Sequence, residues 1–196
     1  APRALGLRAE LQGTSARLER SESGGRTRVT LVLRDVLPSD RFEPYAPHEA
    51  VQVPSLRFST GKSWKDVAAA YGRILARQKP TADLEPLLRQ VVGSATERDE
   101  VVGRLLGWLR REVRYTGLHF GQAGIVPYTP DQTLERKYGD CKDMSLLLVS
   151  LLARAGIPAH VALLSTGWLD PHPALPGLGA FDHAIVHVPG KRPLWL

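Results

Sequence analysis

The sequence predicts a mixed helix-and-strand fold in which strands open the chain, helices fill its middle and strands close it. Three observations carry this expectation. β-Forming residues crowd roughly the first sixty positions between glycine and proline turns, the apolar period becomes helical at Ser63, and β-branched runs return after Gly156. With 196 residues, 43% of them hydrophobic, the chain is long enough for one sizeable core, or one core and a small appendage.

Taken in order, Val29-Thr30-Leu31-Val32-Leu33 has strand propensity, and Ser23-Gly24-Gly25 supplies the turn before it. Pro38, Pro44 and Pro47 make residues 38–50 an extended connector, after which Val51 to Phe58 reads as a second short strand. This stretch is expected to be the remnant of a β domain. Ser63-Trp64-Lys65-Asp66 has the form of a capping box, and Trp64, Val67, Ala68, Tyr71, Ile74 and Leu75 share one helical face. A shorter helix follows around Leu84 to Val92. Thr96-Glu97-Arg98-Asp99 repeats the capping form ahead of a stripe of Val101, Val102, Leu105, Leu106, Leu109 and Val113.

Gly117, Gly121, Gly124, Pro127 and Pro130 predict a loop over 114–130, and Thr129-Pro130 opens a short helix to about Tyr138. Gly139-Asp140-Cys141 leads into an apolar helix from Met144 to Ala155, stopped by Gly156 and Pro158. Ala159 to Ser165 is a predicted strand, 166–180 a loop, and His183 to Val188 another strand. Pro189-Gly190-Lys191-Arg192 then turns into a final strand. The chain opens at Ala1 without an initiating Met and stops at Leu196 inside a strand pattern, so both ends read as cut.

Charge excludes little by itself. Lys and Arg number 26 against 20 Asp and Glu, a net charge of +6, but the arginines are scattered from Arg3 to Arg192. Arg110, Arg111 and Arg114 form the one tight group, at a helix end where cations suit the dipole. No RNA-binding aromatic signature or zinc-finger spacing accompanies them, so a nucleic-acid partner is not expected. No apolar run is long enough to span a bilayer, and a single cysteine allows no internal disulfide.

That cysteine is the residue with chemical promise. Cys141 falls in the first turn of a helix, where exposed N–H groups favour a thiolate, the nucleophilic form. A lone cysteine is more often a small buried apolar residue. Here, however, Gly139, Asp140, Lys142 and Asp143 surround it, an odd setting for a space-filler. Among His48, His119, His160, His172, His183 and His187, it is His183 that opens a β-branched strand after a flexible loop, and so can present a base beside the helix start. The four-residue step from His183 to His187 would suit zinc on a helix. On a strand it separates the rings by about 13 Å, too far for one ion, and no metal or cofactor is expected.

Tyr138-Gly139-Asp140-Cys141-Lys142-Asp143, then an apolar helix and Ala155-Gly156-Ile157-Pro158-Ala159, resembles the nucleophile segment of bacterial transglutaminase-like proteins. Phe181-Asp182-His183-Ala184 resembles their histidine segment, and Tyr115-Thr116-Gly117-Leu118 with Pro127-Tyr128-Thr129-Pro130 their lead-in. The resemblance implies an α+β, papain-like core over 59–196, with the nucleophile helix packed on an antiparallel sheet. Residues 1–58 resemble the tail of a β-sandwich domain that precedes such cores in bacterial envelope proteins. It further implies a Cys-His-Asp triad with Cys141 as nucleophile and His183 as base. The orienting Asp is expected on the strand after the histidine strand, just past Leu194-Trp195-Leu196 and so outside the residues given. Asp182 is a poor substitute, because adjacent strand residues point to opposite faces. Tyr115, His119 and Gln122 are candidates for the oxyanion donor that would act with the Cys141 N–H. The implied activity is thiol-dependent acyl transfer on a peptide or glutamine amide, by hydrolysis or amine transfer, in the periplasm or cell envelope. The competing reading is a non-catalytic binding module on the same fold.

Overall fold

A computed structural model describes residues 1–34, 54–117, 121–166 and 171–196. The proline-rich connector, the start of the strand expected from Val51, and His48 and His119 lie outside the described residues. The described chain falls into two compact units, Ala1–Ala70 with Ser165–Phe181, and Tyr71–Leu164 with Asp182–Leu196.

In the first unit, β1 (Arg8–Gln12), β2 (Leu18–Ser23), β3 (Arg26–Leu31) and β4 (Ser55–Ser59) form two separate antiparallel pairs, β1 with β4 and β2 with β3. Gly24 and Gly25, with φ of 56° and 70°, make the two-residue turn of the β2–β3 hairpin. That turn sets the register from Ser23 opposite Arg26 to Leu18 opposite Leu31, which starts β3 three residues ahead of the expected Val29. Helix α1 (Trp64–Ala76) begins as its sequence predicts: the Ser63 hydroxyl oxygen accepts the Asp66 N–H at 3.1 Å.

The second unit holds α2 (Glu85–Val92), α3 (Arg98–Glu112), β5 (Arg114–Tyr115), α4 (Pro130–Arg136), β6 (Tyr138–Gly139), α5 (Cys141–Arg154), β7 (His160–Leu164), β8 (His183–Val188) and β9 (Leu194–Trp195). Two expectations are corrected. The N-cap of α3 is Glu97 and makes no side-chain cap bond, so Thr96 does not play that part. The loop expected over 114–130 begins instead with β5, which pairs in parallel with β6. By contrast, α4 carries the full capping box: Thr129 caps the Gln132 N–H and the Gln132 side chain caps Thr129.

Strands β7, β8 and β9 form an antiparallel sheet, with Leu164 opposite His183, His160 opposite His187, and His187 opposite Trp195. Along β8, Ala184, Val186 and Val188 are buried while the residues between them are half-buried, the alternation of a sheet with one covered face. Helix α5 covers that face. Its Leu147, Leu148, Leu151 and Leu152 join Val186, Val188 and the α3 residues Val102, Leu105 and Leu109 in one core. The apolar stripe read from sequence on α3 is thus core, with Trp108 added and Leu106 only partly buried.

Gly156 ends α5 with φ of 74°, and the Ile157 N–H reaches back to the Leu152 carbonyl at 2.9 Å, the closing bond of a Schellman turn. A Cβ there would meet nothing within 4 Å, so the need for glycine is purely conformational. Gly156→Ala should therefore lower stability by about 1 kcal/mol, read as a fall in urea midpoint at unchanged slope. The turn sends β7 back along α5. Since β8 is antiparallel to β7, it runs with the helix, and its head lies at the same end as the head of α5. No helix among the described residues is long and apolar enough to cross a membrane.

Candidate functional site

At the head of α5, Asp140 is the N-cap. Its Oδ1 accepts the Lys142 N–H at 3.2 Å and the Asp143 N–H at 3.4 Å, and its Oδ2 receives the Lys142 ammonium. Asp143 completes a capping box by accepting the Asp140 N–H at 3.0 Å, and its other oxygen takes the Tyr128 N–H at 2.9 Å. Cys141 is therefore held between two residues whose side chains lock the first helical turn. It is 8% exposed, and Asp140, Lys142 and Asp143 are buried beside it. Burial pushes the Asp143 carboxyl above its ordinary range, against the lowering effect of the two N–H bonds it accepts. Gly139 is demanded by close approach, since a Cβ there would lie 2.7 Å from Asp143 Cβ.

The parallel β5–β6 pair decides what faces the thiol. Tyr115 lies opposite Gly139, and the Thr116 N–H bonds the Gly139 carbonyl at 2.9 Å. This register brings the Tyr115 hydroxyl beside Cys141, close enough for the cysteine's side chain and backbone to act on it. The ring itself is mostly exposed. Partial burial of the hydroxyl, then the Cys141 and Asp140 charges and the bond to the Cys141 thiol, push the phenol above its ordinary range; the Cys141 N–H works in the other direction. Gln122 sits exposed in the short 3-10 turn Gly121–Gly124, where its carbonyl accepts from the Ile125 and Val126 N–H groups.

His183 is the first residue of β8 and half-buried, with the Asp182 N–H before it held by the Leu164 carbonyl at 3.2 Å. By strand alternation its ring leaves the sheet opposite the core-facing Ala184, at the rim where the strand begins. Helix and strand heads thus share one end of the unit. No group of three metal-ligating side chains occurs among the described residues.

A family model described as the transglutaminase-like superfamily matches residues 85–192, more than half of the chain. The chain belongs to the transglutaminase-like superfamily. Its fold agrees: a candidate protease from Parabacteroides distasonis, known from its crystal structure, superposes with a TM-score of 0.83 at 21% identity. That match covers 100% of this chain and 38% of the other, so the present residues span well under half the length of that protein. A candidate cysteine protease from Cytophaga hutchinsonii gives a TM-score of 0.45 at 14% identity, over 93% of this chain and 60% of its own. No curated protein matches the sequence.

The burial of two residues beside Cys141 carries no signal in the sequence. Lys142 reads there only as part of the polar setting of Cys141, and Tyr71 as part of an apolar helical face; both are buried beside Cys141. Burial, then the charges of Cys141, Asp140 and Asp143, push the Tyr71 phenol from 10.0 up to about 12. A raised phenol binds its proton longer folded than unfolded. It therefore adds stability that is whole below pH 10.0 and is lost as pH rises through about 12. Tyr71→Phe should remove this loss, flattening the fall in stability across that range by roughly 2–3 kcal/mol. Urea midpoints of both proteins at neutral and alkaline pH check it.

Proposed function

We propose that the chain performs thiol-dependent acyl transfer on a peptide or glutamine amide. The observation that carries this reading is the seat of Cys141, whose Sγ and N–H lie together at a rigidly capped helix start. In the proposed reaction Sγ attacks the amide carbonyl carbon and the thiol proton passes to His183. The tetrahedral oxyanion is held by the Cys141 N–H and the Tyr115 hydroxyl. The C–N bond breaks, His183 returns the proton to the leaving amine, and a thioester remains on Cys141. Water resolves it in hydrolysis, an amine in transfer. Of the three oxyanion candidates, Tyr115 is favoured because the β5–β6 pairing sets it opposite Gly139, beside the Cys141 N–H. The description of the Parabacteroides protein as a candidate protease supports a peptide as substrate.

The test is to trap the acyl-enzyme. After incubation with a p-nitrophenyl ester and an acid quench, mass spectrometry should find one acyl group on Cys141. Tyr115→Phe should acylate about 10²-fold more slowly, and a primary amine added to the reaction would separate transfer from hydrolysis. A chain that folds and never acylates at Cys141 is a binding module on this fold.

A further inference from the structure

Among the described residues, Lys142 is the only lysine or arginine that is buried, at 5% exposure. Enclosing an ammonium is costly, and the helix cap does not require it. Asp140 Oδ1 already satisfies the Lys142 and Asp143 N–H groups, work that an uncharged asparagine or serine does as well. The ammonium bonds the other oxygen, Oδ2.

Its purpose follows from the charges around Cys141. Two enclosed carboxylates, Asp140 at 2% and Asp143 at 4% exposure, stand one residue before and two residues after the cysteine. From the other elements, Tyr71 of α1 and Tyr115 of β5 face it as neutral phenols, and His183 heads β8. Both phenols are pushed up in part by the negative charge of this cluster. Left uncompensated, two buried carboxylates would oppose a thiolate between them, against the favourable pull of the helix N-terminus.

We propose that Lys142 is a positioning residue whose ammonium cancels the Asp140 charge and so permits a thiolate at Cys141. The inference rests on the reading of Cys141 as nucleophile. It assigns the third residue of the Asp140-Cys141-Lys142 run a part in reactivity as well as in structure.

The experiment is the pH dependence of Cys141 alkylation by iodoacetamide, from about pH 5 to 9, on the full chain. Lys142→Met should move the midpoint up by about one pH unit, slowing alkylation about tenfold below it. Lys142→Gln, whose amide can still donate to Asp140 Oδ2, serves if the Met variant does not fold and should shift the same way. The double variant Lys142→Met/Asp140→Asn removes both charges and keeps a capping side chain; its midpoint should return to that of the wild type. A folded single variant whose profile superimposes on wild type overturns the inference, as does a double variant that stays shifted, since packing would then be the cause. Failure of the nucleophile reading looks different: wild-type alkylation would itself be slow near neutrality and indifferent to His183→Ala.

Discussion

His183→Ala is expected to lower turnover of a small amide or activated ester by about 10³-fold or more, with the urea midpoint nearly unchanged. In the proposed reaction His183 accepts the thiol proton and later protonates the leaving nitrogen, so its removal would reach both acylation and amine departure. Stability should hardly respond, because the ring is at the half-buried head of β8, away from the enclosed Ala184, Val186 and Val188. The expectation stands on topology. The tight Gly156 turn and the antiparallel β7–β8 pair bring the heads of α5 and β8 to one end. Steady-state kinetics on wild type and variant, with unfolding curves on the same samples, decide the matter. Turnover within a few-fold of wild type would exclude His183 as the base.

Asp140→Ala should cost about 3–5 kcal/mol of folding stability, the largest loss expected from any single change at the helix head. It removes an N-cap, typically worth about 1 kcal/mol, and leaves the enclosed Lys142 ammonium without its carboxylate. Adding Lys142→Met should recover most of the loss, leaving roughly the cap contribution. Urea denaturation of the two variants at pH 7 provides the comparison. A loss in Asp140→Ala no larger than the cap alone, about 1 kcal/mol, would mean that the ammonium finds water or another partner.

Much of this was legible from residue order. The change of period at Ser63, the Thr129-Pro130 cap and the Gly156 stop are local signals, and local hydrogen bonds realise each of them. Cys141 was legible as a helix-start thiol for the same reason. What was not legible depends on contacts between distant segments. β5 and β6 have two residues each, too few for any periodicity to register, yet their pairing sets Tyr115 opposite Gly139, beside Cys141. The burial of Lys142 was hidden because lysine is almost never enclosed unless paired, and its partner lies two residues back, off the usual helical spacing. Thr96 failed as a cap because the helix starts one residue later than its pattern suggests.

The helix α5 holds the thiol at one end and Leu147, Leu148, Leu151 and Leu152 of the core along its length. Reactive residues borne on loops can be disarmed by local opening while the rest of a protein stays intact. Here the proposed nucleophile starts a helix whose leucines lie in the core, so its seat is expected to open only with that core. Heat inactivation should accordingly track global melting on one curve, and amide protons at the head of α5 should exchange as slowly as those of the core.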